Sequence, residues 1–240
     1  MSESPVTRER RGPLVHRSVR HGAIALAVGA AQFVVANIVT QIGYGPSYSI
    51  TGNYISDLGA VHCGLFDGSG SYAGHYACSP WHDVFNVSIV LMGLLLILGV
   101  FLIQTAFPPR RSRTIGLGLL ALAGVGAIGV GLSPEDVNIT VHSLSATLAF
   151  LGGGLALVVL GFAMFRDTRW DGFRAFSILC GLVGLVALGL FVSKTYAGIG
   201  VGGMERLIVA PILLWAIVVG IHLARIPTYA PPGLTHSTGS

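Results

Sequence analysis

Long apolar stretches separated by short polar connections run through almost the whole chain. Six of them are long enough to cross a bilayer, which takes about 20 mostly apolar residues per helix. They lie near residues 22–43, 84–106, 115–132, 139–165, 175–196 and 205–224. The apolar residues follow one another without a period of two, and a backbone in lipid must satisfy its own hydrogen bonds. The pattern therefore predicts an all-α, polytopic transmembrane bundle of six helices.

Composition agrees with this expectation. Of the 240 residues, 52% are hydrophobic and only 10% are charged, whereas soluble domains average about 25% charged residues. A water-soluble globule of this size would lack the charges to cover its surface, so a soluble enzyme is disfavoured.

The distribution of positive charge predicts the orientation. All of the 14 Lys and Arg residues except Lys194 and Arg206 lie in the N-terminal tail, the second and fourth connections, or after the last span. The positive-inside rule then predicts a multi-pass protein of the cytoplasmic membrane with both termini in the cytoplasm. Tails of residues 1–20 and 226–240, both expected to be disordered, flank a transmembrane domain of residues 21–225. Because the basic excess marks topology, we expect membrane lipids and no nucleic acid as partners.

One connection, residues 44–82, is long and is predicted to lie outside. It contains Cys63 and Cys78. The outer face of a cell membrane is oxidising, so we expect these two cysteines to form a disulfide that staples the loop. Two free thiols or a metal-binding pair are the alternatives. Cys180 falls in the middle of the fifth span and is expected to pack in the interior.

Polar side chains gather at the outer boundary of the predicted spans. Ionisable groups at membrane depth cost free energy and usually face a partner or a cavity. In one interpretation they cap helix ends and form interhelical salt bridges; in the other they form a pocket under the stapled loop for a lipid headgroup, a metal or a catalytic water. The candidates are Asn53, Ser56, Asp57, His82, Asp83, Asn86, His142, Lys194, Glu205 and Arg206.

A metal at this boundary would draw on Asp57, His82, Asp83 and His142. Carboxylates and imidazoles are suitable zinc ligands, but none of the usual zinc spacings is present. We therefore expect no cofactor.

Several short segments together resemble a bacterial and archaeal membrane-protein family known as domain of unknown function 998. The resemblance covers about residues 20–224 and implies a six-helix bundle with an extracytoplasmic polar face, but it implies no activity. The segments are Asn53–Gly59, Asp83–Asn86, Leu132–Asp136, His142, Gly203–Leu207 and Trp215.

Three functions are compatible with these features. The first is a non-catalytic accessory, sensing or lipid-binding factor. The second is a membrane enzyme, a hydrolase or transferase acting on a lipid or headgroup at the outer leaflet, with His82 or His142 as base and Asp57 or Asp83 orienting it. The third is a small transporter, which the concentration of polar residues at one end disfavours. A membrane-protein partner or a homo-oligomer stays open.

Overall fold

Six long helices make up the computed structural model, which describes residues 17–45, 48–65, 76–165, 167 and 170–226. All six are long and apolar enough to cross a membrane. The expected all-α, six-helix membrane fold is therefore confirmed. The helices are α1 (Arg17–Ile42), α2 (His82–Ile103), α3 (Arg111–Leu132), α4 (Ile139–Ala163), α5 (Phe173–Val192) and α6 (Gly200–Arg225).

The helices form a closed ring in chain order. Each packs against its neighbours in sequence, and α6 packs against α1 to complete the ring. Because α4 also touches α6 directly, α5 lies at the periphery. The interior is thus surrounded by α1, α2, α3, α4 and α6.

Small residues bring some of these helices very close together. A Cβ atom added at Gly126 on α3 would lie 2.5 Å from the backbone nitrogen of Ala149 on α4. One added at Gly220 on α6 would lie 2.6 Å from the carbonyl oxygen of Ala23 on α1. Membrane helices commonly use small residues for such close contacts. Larger residues on these faces would push the ring apart.

The two ends of the bundle differ. We call the end that carries the start of α1, the α2–α3 connection and the end of α6 the basic end, and the opposite end the loop end. Near the basic end the interior is solid: Trp215 is fully buried, and its Nε1 donates to Ser177 Oγ at 2.7 Å. Phe107 and Trp170 stack there with ring centroids 4.7 Å apart. This end of the bundle is filled by apolar and aromatic side chains.

The long connection lies at the loop end and contains the disulfide between Cys63 and Cys78, as predicted. Two short antiparallel strands, β1 (Gly64–Leu65) and β2 (Tyr76–Ala77), flank the bridge. A cross-link over a loop of this length stabilises by about 3 kcal/mol in the chain-entropy model. Cys180 is free and buried.

The last helix begins earlier than its apolar stretch. α6 starts at Gly200, whereas hydrophobicity alone placed the sixth span from residue 205. Glu205 and Arg206 therefore lie in the second turn of the helix rather than at its first residues. Their surroundings explain how a helix accommodates two charges there.

Candidate functional site

The segment before the disulfide, residues 49–60, folds inward and covers the loop end of the bundle. Asp57 organises it: the carboxylate accepts hydrogen bonds from Asn53 Nδ2 at 2.8 Å and from the backbone N–H of Tyr54 at 3.1 Å. Asp57 is fully buried, and all residues from 54 to 60 are buried. A 3₁₀ turn, Ser56–Gly59, follows. We call residues 49–60 the cover segment.

The first turns of α6 hold the cover segment in place. The N–H of Gly202 donates to the carbonyl of Thr51 at 2.9 Å. A side chain at Gly202 would clash with the carbonyl oxygen of Asn53, so only glycine permits this approach. One turn further, Glu205, which is 6% exposed, accepts a hydrogen bond from the backbone N–H of Ile55. The acid thus satisfies a buried backbone donor.

Arg206 completes the attachment. Its Nη1 donates to the carbonyls of Ile50 at 3.0 Å and Asn53 at 3.1 Å. Its Nη2 donates to the hydroxyl of Tyr48, and the guanidinium lies 5.4 Å from the centre of that ring. The guanidinium of Arg206 is thereby engaged by the cover segment and the adjacent Tyr48.

Glu135, in the short α3–α4 connection, is a third buried acid and is 3% exposed. Its carboxyl group lies against the side chains of Asp57 and Ser56. Burial, and after it the negative charge of neighbouring Asp57, raises the pKa of Glu135 well above its usual value of 4.5. Asp57, Glu135 and Glu205 are close enough to influence one another's charge, and we call them the acid cluster.

His142, near the start of α4, is 3% exposed. Its Nδ1 lies 3.0 Å from the carbonyl oxygen of Ser133. Because a carbonyl only accepts, Nδ1 must carry the proton, and the Nε2 of the neutral ring is then a hydrogen-bond acceptor.

Below the cover segment lies an internal cavity of about 80 Å³. Its polar lining residues, Ser56, His142 and Glu205, lie at the loop end. The rest of its wall is apolar and extends along α6 as far as Ala216, about 16 Å below Glu205 at the rise of an α-helix. The remaining lining residues are Leu26, Ala30, Phe33, Ile55, Phe85, Ile89, Met92, Leu96, Ala123, Ala127, Val130, Ala146, Ala149, Phe150, Val209, Ile212 and Leu213.

Comparison with known proteins gives a family for this architecture. Residues 27–222 match the family described as "Protein of unknown function (DUF998)". The chain belongs to this family. No curated protein and no solved structure matches it. The match confirms the resemblance seen in the sequence and adds no activity to it.

The predicted pocket residues of this DUF998 chain fall into three groups. Ser56, His142 and Glu205 line the cavity. Asn53 and Asp57 belong to the cover segment, and Arg206 attaches that segment to α6. The other four lie away from the cavity wall. They are His82, whose Nδ1 contacts the Ser79 carbonyl at 2.9 Å; Asn86, whose Nδ2 donates to Gly59 at 2.9 Å; Asp83, whose side chain is 91% exposed; and Lys194, which is exposed.

The four residues considered for a metal are not brought together. Asp57 is fully buried while the Asp83 side chain faces solvent. Across the described part of the chain, no three His, Cys, Asp or Glu side chains are arranged to hold a metal ion.

Two residues of the α3–α4 connection were not among the predicted site residues. Besides Glu135, Asp136 joins this connection to the long loop: its Oδ2 accepts from the backbone N–H groups of Val61 at 2.9 Å and His62 at 2.8 Å. Glu135 and Asp136 belong to the segment Leu132–Asp136 that carried the family resemblance. That resemblance was the one sign in the sequence that these two residues could belong to the site.

Proposed function

We propose that this DUF998 protein is a lipid-binding protein of the cytoplasmic membrane, with the loop end outside and both termini in the cytoplasm. It would take the tail of a single-chain lipid into the cavity and hold the headgroup beneath the cover segment. The orientation rests on the basic residues that precede α1, flank α3 and α5, and end α6.

The amphipathic cavity is the observation that carries this proposal. The apolar part of such a cavity accepts apolar molecules, and small-molecule sites are mostly apolar with a few placed polar groups. The polar groups here lie at one end of the cavity, among 21 lining residues. This matches the shape of a lipid, which has one polar end and one apolar tail.

The filled basic end argues against a transporter. A transporter needs its site to become open to each side in turn. The space on the far side of the cavity is occupied by Trp215, Phe107 and Trp170. A cavity with its polar groups at one end suits storage, sensing or presentation of a ligand.

A membrane enzyme is the second candidate, and His142 favours it. With Nδ1 held by Ser133, the Nε2 of His142 is free of the proton and suited to act as a general base. His142 and the hydroxyl-bearing Ser56 line the same cavity. Turnover of an ester-linked single-chain lipid by the purified protein, lost in His142→Gln, would favour this function over binding alone.

The binding test uses full-length protein in phosphatidylcholine nanodiscs and radiolabelled dodecanol as the probe. We expect saturable binding of about one molecule per chain above the background of empty nanodiscs. Ala146→Phe places a large ring in the cavity wall and should lower the affinity at least tenfold. Ala210→Phe is the matched control, because Ala210 lies on the exposed surface of α6 outside the lining.

Two results would overturn the proposal. One is the absence of saturable dodecanol binding by the unmodified protein. The other is an equal loss of binding in Ala146→Phe and Ala210→Phe, which would place the probe on the lipid-facing surface.

A further inference from the structure

The head of the cavity presents hydrogen-bond acceptors and negative charge to whatever binds there. Glu205 contributes a carboxylate and His142 contributes Nε2, since its Nδ1 is engaged with Ser133. The third lining group is the hydroxyl of Ser56, which is 5% exposed and lies beside the carboxyl group of Glu135. Its oxygen is a further acceptor for a donor on a ligand.

The charged groups around the polar end of the cavity determine whether a positive or a negative headgroup binds there. The three acids Asp57, Glu135 and Glu205 are at most 6% exposed. No Lys or Arg side chain lines the cavity in the part of the chain that the structure describes. Arg206 is the nearest positive group in sequence to Glu205, and its Nη atoms bind carbonyls and Tyr48. The raised pKa of Glu135 favours its neutral form, so the charge balance here is that of Asp57 and Glu205 against the single arginine.

Charges interact strongly where water is excluded, so a phosphate or carboxylate headgroup would be repelled here. A cation would be attracted, and it would also reduce the cost of burying the acids.

We infer that the cavity selects a single-chain lipid with a primary ammonium headgroup, bound by Ser56, His142 and Glu205. The ammonium group matches the cavity in its number of hydrogen-bond donors as well as in its charge. A primary ammonium has three N–H donors, and the head of the cavity offers a carboxylate oxygen, an imidazole nitrogen and a hydroxyl oxygen as acceptors. This inference rests on the proposed lipid-binding function and names its ligand class.

The test compares dodecylamine, dodecanol and dodecanoate, which share one tail and differ only in the headgroup. Their affinities for the full-length protein are measured in the same phosphatidylcholine nanodiscs at pH 7. We expect dodecylamine to bind at least tenfold more tightly than dodecanol, and dodecanoate to bind more weakly than either.

Two variants assign the selectivity to the named residues. Glu205→Gln keeps the side-chain volume and an oxygen for the Ile55 N–H, and should reduce the preference for the amine to about twofold while dodecanol still binds. Ser56→Ala removes one acceptor and should weaken amine binding severalfold. Asp83→Asn is the charge-matched control: it removes an acid whose side chain is 91% exposed and should leave the preference unchanged.

The outcomes separate this inference from the proposed function. Equal affinity for dodecanol and dodecylamine, or an amine preference that survives Glu205→Gln, overturns the ammonium assignment while lipid binding stands. A preference lost equally in Asp83→Asn also overturns it, because general surface charge would then attract the amine. Absence of saturable binding for all three probes removes both conclusions.

Discussion

The backbone N–H of Ile55 donates to the carboxylate of Glu205, which lies 150 residues further along the chain. This bond joins the cover segment to the second turn of α6, and both residues line the cavity. One buried acid therefore has two tasks: it holds the cover segment in place and gives the cavity its polar end.

Replacing Glu205 should show how much its bond to Ile55 contributes to stability. In Glu205→Leu the buried N–H of Ile55 loses its acceptor, which costs about 1–3 kcal/mol. Glu205→Gln retains an acceptor and should lose clearly less. Thermal unfolding of the two purified variants in detergent measures the difference. Equal melting temperatures would show that the bond to Ile55 contributes nothing to stability.

Gly202 should be intolerant of even a methyl group. Alanine there would place its Cβ against the carbonyl oxygens of Asn53 and Ile50, so α6 and the cover segment would have to move apart. We expect Gly202→Ala to destabilise by about 1–3 kcal/mol, the range for overpacking. The measurement is thermal unfolding together with protease sensitivity of the loop end.

Gly189→Ala is the control for that substitution. Gly189 lies in the middle of α5, where an added Cβ would meet nothing within 4 Å, and alanine is the better helix former by about 1 kcal/mol. This variant should be at least as stable as the unmodified protein. If both variants behave alike, close packing at Gly202 does not position the cover segment.

Glu135 should make stability depend on pH. Because its pKa in the folded protein is raised above 4.5, folding favours the protonated form. Its contribution is complete below the pKa of the unfolded chain and is lost as the pH rises through the higher pKa of the folded state. Glu135→Gln should therefore have a melting temperature that exceeds that of the unmodified protein increasingly as the pH rises above about 4.5.

Three neighbouring groups affect the pKa of Glu135: Ser56 and Asp57 from the cover segment and Glu205 from α6. A control variant must therefore lie away from them. Asp83→Asn removes an exposed acid and should give a curve parallel to that of the unmodified protein. Parallel curves for Glu135→Gln as well would mean that Glu135 ionises without cost.

The membrane orientation can be tested by cysteine labelling in a Cys180→Ser background. Val137 is 59% exposed in the α3–α4 connection at the loop end, and Ser112 lies at the start of α3 at the basic end. An impermeant maleimide should label Val137→Cys in intact cells and Ser112→Cys only after permeabilisation. The reverse pattern would invert the bundle and place the cavity head in the cytoplasm.

Hydrophobicity was sufficient to predict the fold, because each span is a local property of about 20 residues. The Cys63–Cys78 bridge was also predictable, since it joins the two cysteines of one loop. The start of α6 was not, because Glu205 and Arg206 stand at the edge of the apolar stretch and do not indicate that the helix extends beyond them until the cover segment provides partners for them. Those partners come from residues 50–55, far away in the sequence.

The site was only partly predictable for the same reason. Glu135 lies in a short connection beside Pro134, where an acid ordinarily faces water. It becomes buried because Asp57 and Ser56 are folded against it. Lys194 shows the opposite effect: it lies near the predicted end of a span, yet α5 ends at Val192 and leaves the lysine exposed.

The filled end of the bundle around Trp215 has an electrical consequence. The free energy of an elementary charge changes by about 2.3 kcal/mol per 100 mV when it crosses the whole membrane. Glu205, however, lies only in the second turn of α6. Nearly the whole length of that helix separates it from the basic end. A charged headgroup bound beside Glu205 would move through a small part of the membrane potential. Occupancy of the cavity would then follow the amount of ligand in one leaflet and be largely independent of the voltage across the membrane.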